Sequence, residues 1–140
     1  ADAIAHVRSQ VIGTLFELLR SRPESEQVLL ALLVNKLGDP ERKLASKAAH
    51  CLARLLVQHP MMKTVVVQEV GALLSRPNLN ARSTYYACTF LSQLRFDSHS
   101  TDDALVAAKV VSIFLSLFAA ATASDNTNND GNNTNKNKNN

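Results

Sequence analysis

The sequence has no tryptophan, only two cysteines and only four glycines, and these shortages close off several kinds of chemistry. The glycines stand apart, so there is no glycine-rich loop to cradle a phosphate. Cys51 and Cys88 have a spacing that fits no zinc or redox motif. They read as small core hydrophobes in a reducing compartment. His6, His50, His59 and His99 are scattered, and none is paired at metal-ligand spacing. Asp102-Asp103 sits at an expected helix start, where an acidic pair complements the helix dipole. No nucleophile has a recognisable base, so neither an active site, a cofactor site nor a metal site is expected.

Long hydrophobic runs are also missing. The longest apolar stretch, residues 110–123, is interrupted by Ser112, Ser116 and Thr122. Crossing a bilayer takes about 20 apolar residues, so this stretch is expected to be a packed helix. The first ten residues lack the basic-then-apolar order of a signal peptide. The chain opens at Ala1 rather than Met and in mid-pattern, and it reads as a piece of a longer protein.

What is present is helical periodicity. At 140 residues and 46% apolar, the chain can build one domain with a real core. Its formal charge of +3 permits contact with nucleic acid without demanding it. Apolar residues recur at three and four in six segments: 3–20, 24–37, 40–59, 61–75, 79–95 and about 101–123. Glu24 and Glu26 suit the start of the second, and Gly38 its end. Asp39-Pro40 is expected to cap and open the third. Pro23, Pro60 and Pro77 separate helices. Val65-Val66-Val67 has β propensity, but helical spacing on both sides assigns it to the fourth helix. Residues 124–140 are mostly Asn, with nothing to offset the entropy of ordering the backbone. They read as a disordered low-complexity tail after a helical domain at 1–123.

The third and fifth helices match when offset by 39 residues. Ala48, Ala49, Leu52 and Leu55 fall on Ala87, Cys88, Leu91 and Leu94, and upstream Val34 falls on Leu73. The step is close to the repeat of about 40 residues in HEAT and armadillo proteins. The expected fold is therefore all-α, a HEAT/armadillo-like solenoid of three helix pairs, with a plain helical bundle as the alternative. The core should include Leu33, Leu37, Leu44, Ala48, Leu52, Leu55, Val66, Val70, Leu73, Phe90, Leu91 and Leu94.

Two surfaces carry candidate binding residues. On the third helix Lys43, Lys47, His50 and Arg54 share the side opposite the apolar arc. Such a basic stripe suits phosphates or an acidic partner, and a solvated face would look the same. On the fifth helix Tyr85 projects away from the arc of Ala87, Phe90, Leu91 and Leu94, with Arg82 on its side. It could stack on a base or anchor a partner; packing against the next helix is the expectation.

Residues 32–94 carry a more specific signal. The runs Leu33-Val34-Asn35-Lys36-Leu37-Gly38-Asp39-Pro40, Ala45-Ser46-Lys47-Ala48, His59-Pro60-Met61-Met62-Lys63, Glu69-Val70 and Tyr85-Tyr86-Ala87 resemble the CCAAT-binding-factor family of nucleolar proteins. The likeness extends over about residues 1–118 and covers a small part of that family's long chain. It implies a nuclear, nucleolar scaffold that joins precursors of the large ribosomal subunit. The partners it implies are pre-ribosomal RNA, ribosomal proteins and a sister nucleolar-complex protein. It implies no catalytic residue and no membrane or small-molecule partner. The Asn-rich end departs from the family pattern. A transcription regulator, as the family name suggests, would need a DNA-reading motif, and none is found. A generic protein-binding adaptor is the other alternative.

Overall fold

The computed structural model describes residues 3–21 and 26–130, with side chains described through residue 125. Six α-helices account for most of them: α1 (Ala3–Ser21), α2 (Glu26–Asn35), α3 (Arg42–Gln58), α4 (Lys63–Leu74), α5 (Ala81–Ser92) and α6 (Thr101–Asp130). Short 3-10 turns at Lys36–Gly38 and Pro60–Met62 lead into α3 and α4. There is no strand among the described residues. The β-branched run lies inside α4, where Val66 and Val67 are fully buried. Of the expected core residues only Leu94 is half-buried rather than buried.

The helices pack by order. α1 lies against α3 and α3 against α5; α2 lies against α4 and α4 against α6. α1–α2, α2–α3 and α4–α5 contacts join the two rows. One apolar cluster runs from Ile12 in α1 to Val110 in α6.

The Asn35–Pro40 joint departs from the expected cap. α3 starts at Arg42, and its N-cap is Glu41, which makes no side-chain cap bond. Asp39 is buried instead. Its Oδ1 accepts the Glu41 N–H at 2.9 Å, and its Oδ2 lies 3.1 Å from Arg8 Nε of α1. Arg8 Nε is buried without a directed hydrogen bond, so this contact is an ion pair. Gly38 does not have the positive φ of a helix-ending glycine. Its role is close approach, since a Cβ there would sit 3.1 Å from Ser83 Oγ of α5, and Ser83 is itself buried. Arg76 donates to Asn35 Oδ1 at 2.7 Å and Arg82 donates to the Pro40 carbonyl at 2.7 Å. The turn is thus a joint where α1, α5 and the α4–α5 loop converge. Asn78 of that loop holds φ 65, a left-handed conformation that Asn tolerates.

α6 departs from expectation in two ways. It runs on to Asp130, well into the stretch read as disordered; residues 131–140 lie outside the described residues. It is also long and apolar enough, by length and composition alone, to cross a bilayer, and only 11% of that span is buried. Val106 and Val110 are buried, while Leu105, Val111, Leu115 and Phe118 are exposed. Apolar residues go right round this helix, and it packs chiefly on α4, so the expectation of a fully packed helix fails on its outer side.

The start of α6 is clasped to α4. Ser100 Oγ accepts the Asp103 N–H at 3.2 Å. Asp103 Oδ2 takes Lys63 Nζ at 2.8 Å and the Asp97 N–H at 2.7 Å. Lys63 also donates to the Arg95 carbonyl at 2.9 Å and sits 5.3 Å from the Phe96 ring centre. The Lys63 hydrogen bond, then that of Asp97, holds the Asp103 carboxyl below its usual range. A depressed native value stabilises the fold above the unfolded pKa, and this is lost as pH falls through the native value. Acidification below about pH 4 is therefore expected to lower the melting temperature, less steeply in Asp103→Asn. Thermal melts across pH check this; equal slopes would mean the clasp is not formed.

Candidate nucleic-acid interface

The structure splits the candidate residues into two groups. Lys47 and Arg54 turn towards α1. Lys47 is half-buried, and its Nζ donates to the Ser9 carbonyl at 2.7 Å and to Ser9 Oγ at 2.9 Å. The bare Gly13, whose Cβ position lies 3.9 Å from Lys47 Nζ, leaves room for it. The Arg54 guanidinium lies 5.1 Å from the Phe16 ring centre, a cation–π distance. Ser9, Gly13 and Phe16 recur at four and three along α1, so one face of α1 receives two cations spaced by seven on α3. The expectation that these residues point away from packed structure is therefore corrected: Lys47 belongs to the α1–α3 seam. Lys43 is exposed, and no other member of the stripe joins it in a pocket.

His50 belongs with the other group. It lines a groove of about 850 Å³ between α3 and α5 together with Arg82 and Tyr85. Arg42, Ser46, Ala49 and Ala53 complete the α3 wall; Tyr86, Thr89, Phe90 and Gln93 continue the α5 wall. The α3 positions recur at four, three and four, and small residues there keep the groove open. No carboxylate lines it. Tyr85 is 65% exposed. Tyr86 meets it edge to face, with ring centres 5.7 Å apart and planes at 70°. Arg82 is exposed but anchored at Pro40, which uses one of its five donors.

Sequence reasoning missed Arg42. The signal was there, since Arg42, Ser46 and His50 are four apart, but Lys43 drew attention to the neighbouring face. Other reactive groups are unremarkable. Burial pushes the Cys88 thiol up; it also pushes Cys51 up, against the lowering pull of Lys47 and Arg54. Among the described residues no three of His, Cys, Asp and Glu gather as a metal site.

This helical chain is similar to known proteins over most of its length. It is 38% identical over 117 residues to human CCAAT/enhancer-binding protein zeta, covering 84% of the chain and 11% of the relative. It is 40% identical over 125 residues to ribosome biogenesis protein NOC1 of Chaetomium thermophilum, covering 89% and 12%. It is 41% identical over 113 residues to nucleolar complex protein 1 of Drosophila melanogaster, covering 81% and 9%. The chain belongs to the CCAAT-binding-factor family. It spans about a tenth of the length of these relatives. No protein-family model matches it. The resemblance read from the runs within residues 32–94 is thus borne out. In this member of the family the Asn35–Pro40 run forms the joint of the fold rather than the groove.

Proposed function

We propose that this chain is part of a nucleolar scaffold for ribosome biogenesis and that it contacts pre-ribosomal RNA through the α3–α5 groove. The names of the Chaetomium and Drosophila relatives support the setting. The groove carries the RNA reading: Arg42, His50 and Arg82 gather beside an exposed Tyr85 with no carboxylate among them. Backbone phosphates suit such a cluster. The helix pairs are a HEAT-like solenoid, a reading supported by the side-by-side rows and the 39-residue step. Solenoids offer extended surfaces to several partners at once, which fits a particle of ribosomal proteins, RNA and a sister nucleolar-complex protein. The role is binding rather than catalysis.

The test is recovery of pre-ribosomes with the tagged full-length protein carrying Arg42→Glu and Arg82→Glu. Recovery is expected to fall several-fold and to fall further as salt rises. Circular dichroism of the same double variant should be nearly unchanged, because both side chains are exposed and only the one Arg82–Pro40 bond is lost. Undiminished recovery with normal helicity would remove RNA from this groove.

A further inference from the structure

We propose that the α3–α5 groove selects unpaired RNA, seating a base on Tyr85 while Arg42 and Arg82 hold neighbouring phosphates. This rests on the RNA reading above and narrows it to one kind of RNA. A duplex keeps its bases stacked inside and offers a protein mainly its shape, phosphates and 2′-hydroxyls. An aromatic ring standing in a groove has no base face to meet there. In a single strand the bases can splay out, and each can stack on an aromatic side chain.

Four features suit the groove to that substrate. Tyr85 is 65% exposed, and its neighbour Tyr86 meets it at 70° rather than stacked upon it. The ring is braced without a parallel partner. Arg82 is held by the Pro40 carbonyl at 2.7 Å, so its guanidinium is positioned before any ligand arrives, which lowers the ordering cost of binding. Neighbouring helices pack with axes about 8–10 Å apart, so the groove between them admits a strand more readily than a helix of paired RNA. The neutral donors Ser46, Thr89 and Gln93 also line the groove, and they can bond to base edges or to sugars without repelling phosphate. An acidic peptide would satisfy the arginines equally but would leave the tyrosine unused.

The experiment is fluorescence anisotropy with the full chain, using a labelled mixed-sequence single-stranded RNA of about a dozen nucleotides and the same strand annealed to its complement. The single strand is expected to bind tighter. Tyr85→Ala should weaken single-strand binding about tenfold or more, while Tyr85→Phe, which keeps the ring, should stay near wild type. Arg82→Gln should weaken both RNAs and reduce the salt slope by about one. Equal or tighter binding of the duplex, or a Tyr85→Ala variant that binds the single strand as well as wild type, would overturn the inference. Binding of neither RNA, with an acidic peptide bound instead, would overturn the RNA reading itself. Circular dichroism of each variant separates lost binding from lost fold.

Discussion

Leu52→Ala is expected to lower the unfolding free energy by about 2–5 kcal/mol. Leu52 lies in the middle of α3 and is fully buried, on the arc shared by Leu44, Ala48 and Leu55. Truncation there loses the transfer free energy of the removed carbons and leaves a cavity that the neighbours only partly close. Val57, on the same helix, is 81% exposed, and Val57→Ala should change stability by no more than about 0.5 kcal/mol. Urea denaturation of the two variants gives a direct comparison. A loss at Leu52 as small as that at Val57 would place Leu52 on the surface and the helix in the wrong register.

Lys47→Glu should be nearly as damaging, although a sequence reading counts it as a surface change. The lysine brings a charged donor to two oxygens of Ser9, and a hydrogen bond to a charged group contributes about 1.5–3 kcal/mol. Glutamate would remove the donor and set a negative charge against a carbonyl in a half-buried seam. The combined loss is expected to be about 2–3 kcal/mol, the upper part of that range. Lys43→Glu, one turn away and exposed, should be close to neutral. Melting both variants decides whether the α1–α3 seam depends on Lys47; matching midpoints would show that it does not. The contrast also bears on the test of the proposed function, because a charge reversal at Lys47 would act through the fold rather than through the groove.

Most of the fold was legible because burial on a helix has a period. Leu33, Leu37, Val66, Val70 and Leu91 fall on repeating faces, and those faces are buried. What escaped was whatever depends on a second helix. Nothing local marks Lys47 as inward, since its partner Ser9 lies in another helix and Gly13 makes the room. Asp39 before Pro40 has the local form of a cap, and Arg8 of α1 draws it elsewhere. The groove was half legible. Arg82, Tyr85 and His50 could be picked out by residue type and face, but their meeting across α3 and α5 could not be read from either helix alone. Pro23, expected to break the first helix, and Glu24, expected at the start of the second, lie outside the described residues.

Four of the long-range side-chain ties share one more property. Lys47 to Ser9, Arg76 to Asn35, Arg82 to Pro40 and Lys63 to Asp103 span 38, 41, 42 and 40 residues. Each therefore closes a loop of nearly the same size, close to the 39-residue offset between α3 and α5. The entropy lost in closing a loop grows with its length, by about 0.6 kcal/mol for each doubling. Here the largest of these loops is hardly longer than the smallest, so the four ties form at nearly the same entropic cost. None of the four contacts is therefore made harder than the others by the length of chain it must close.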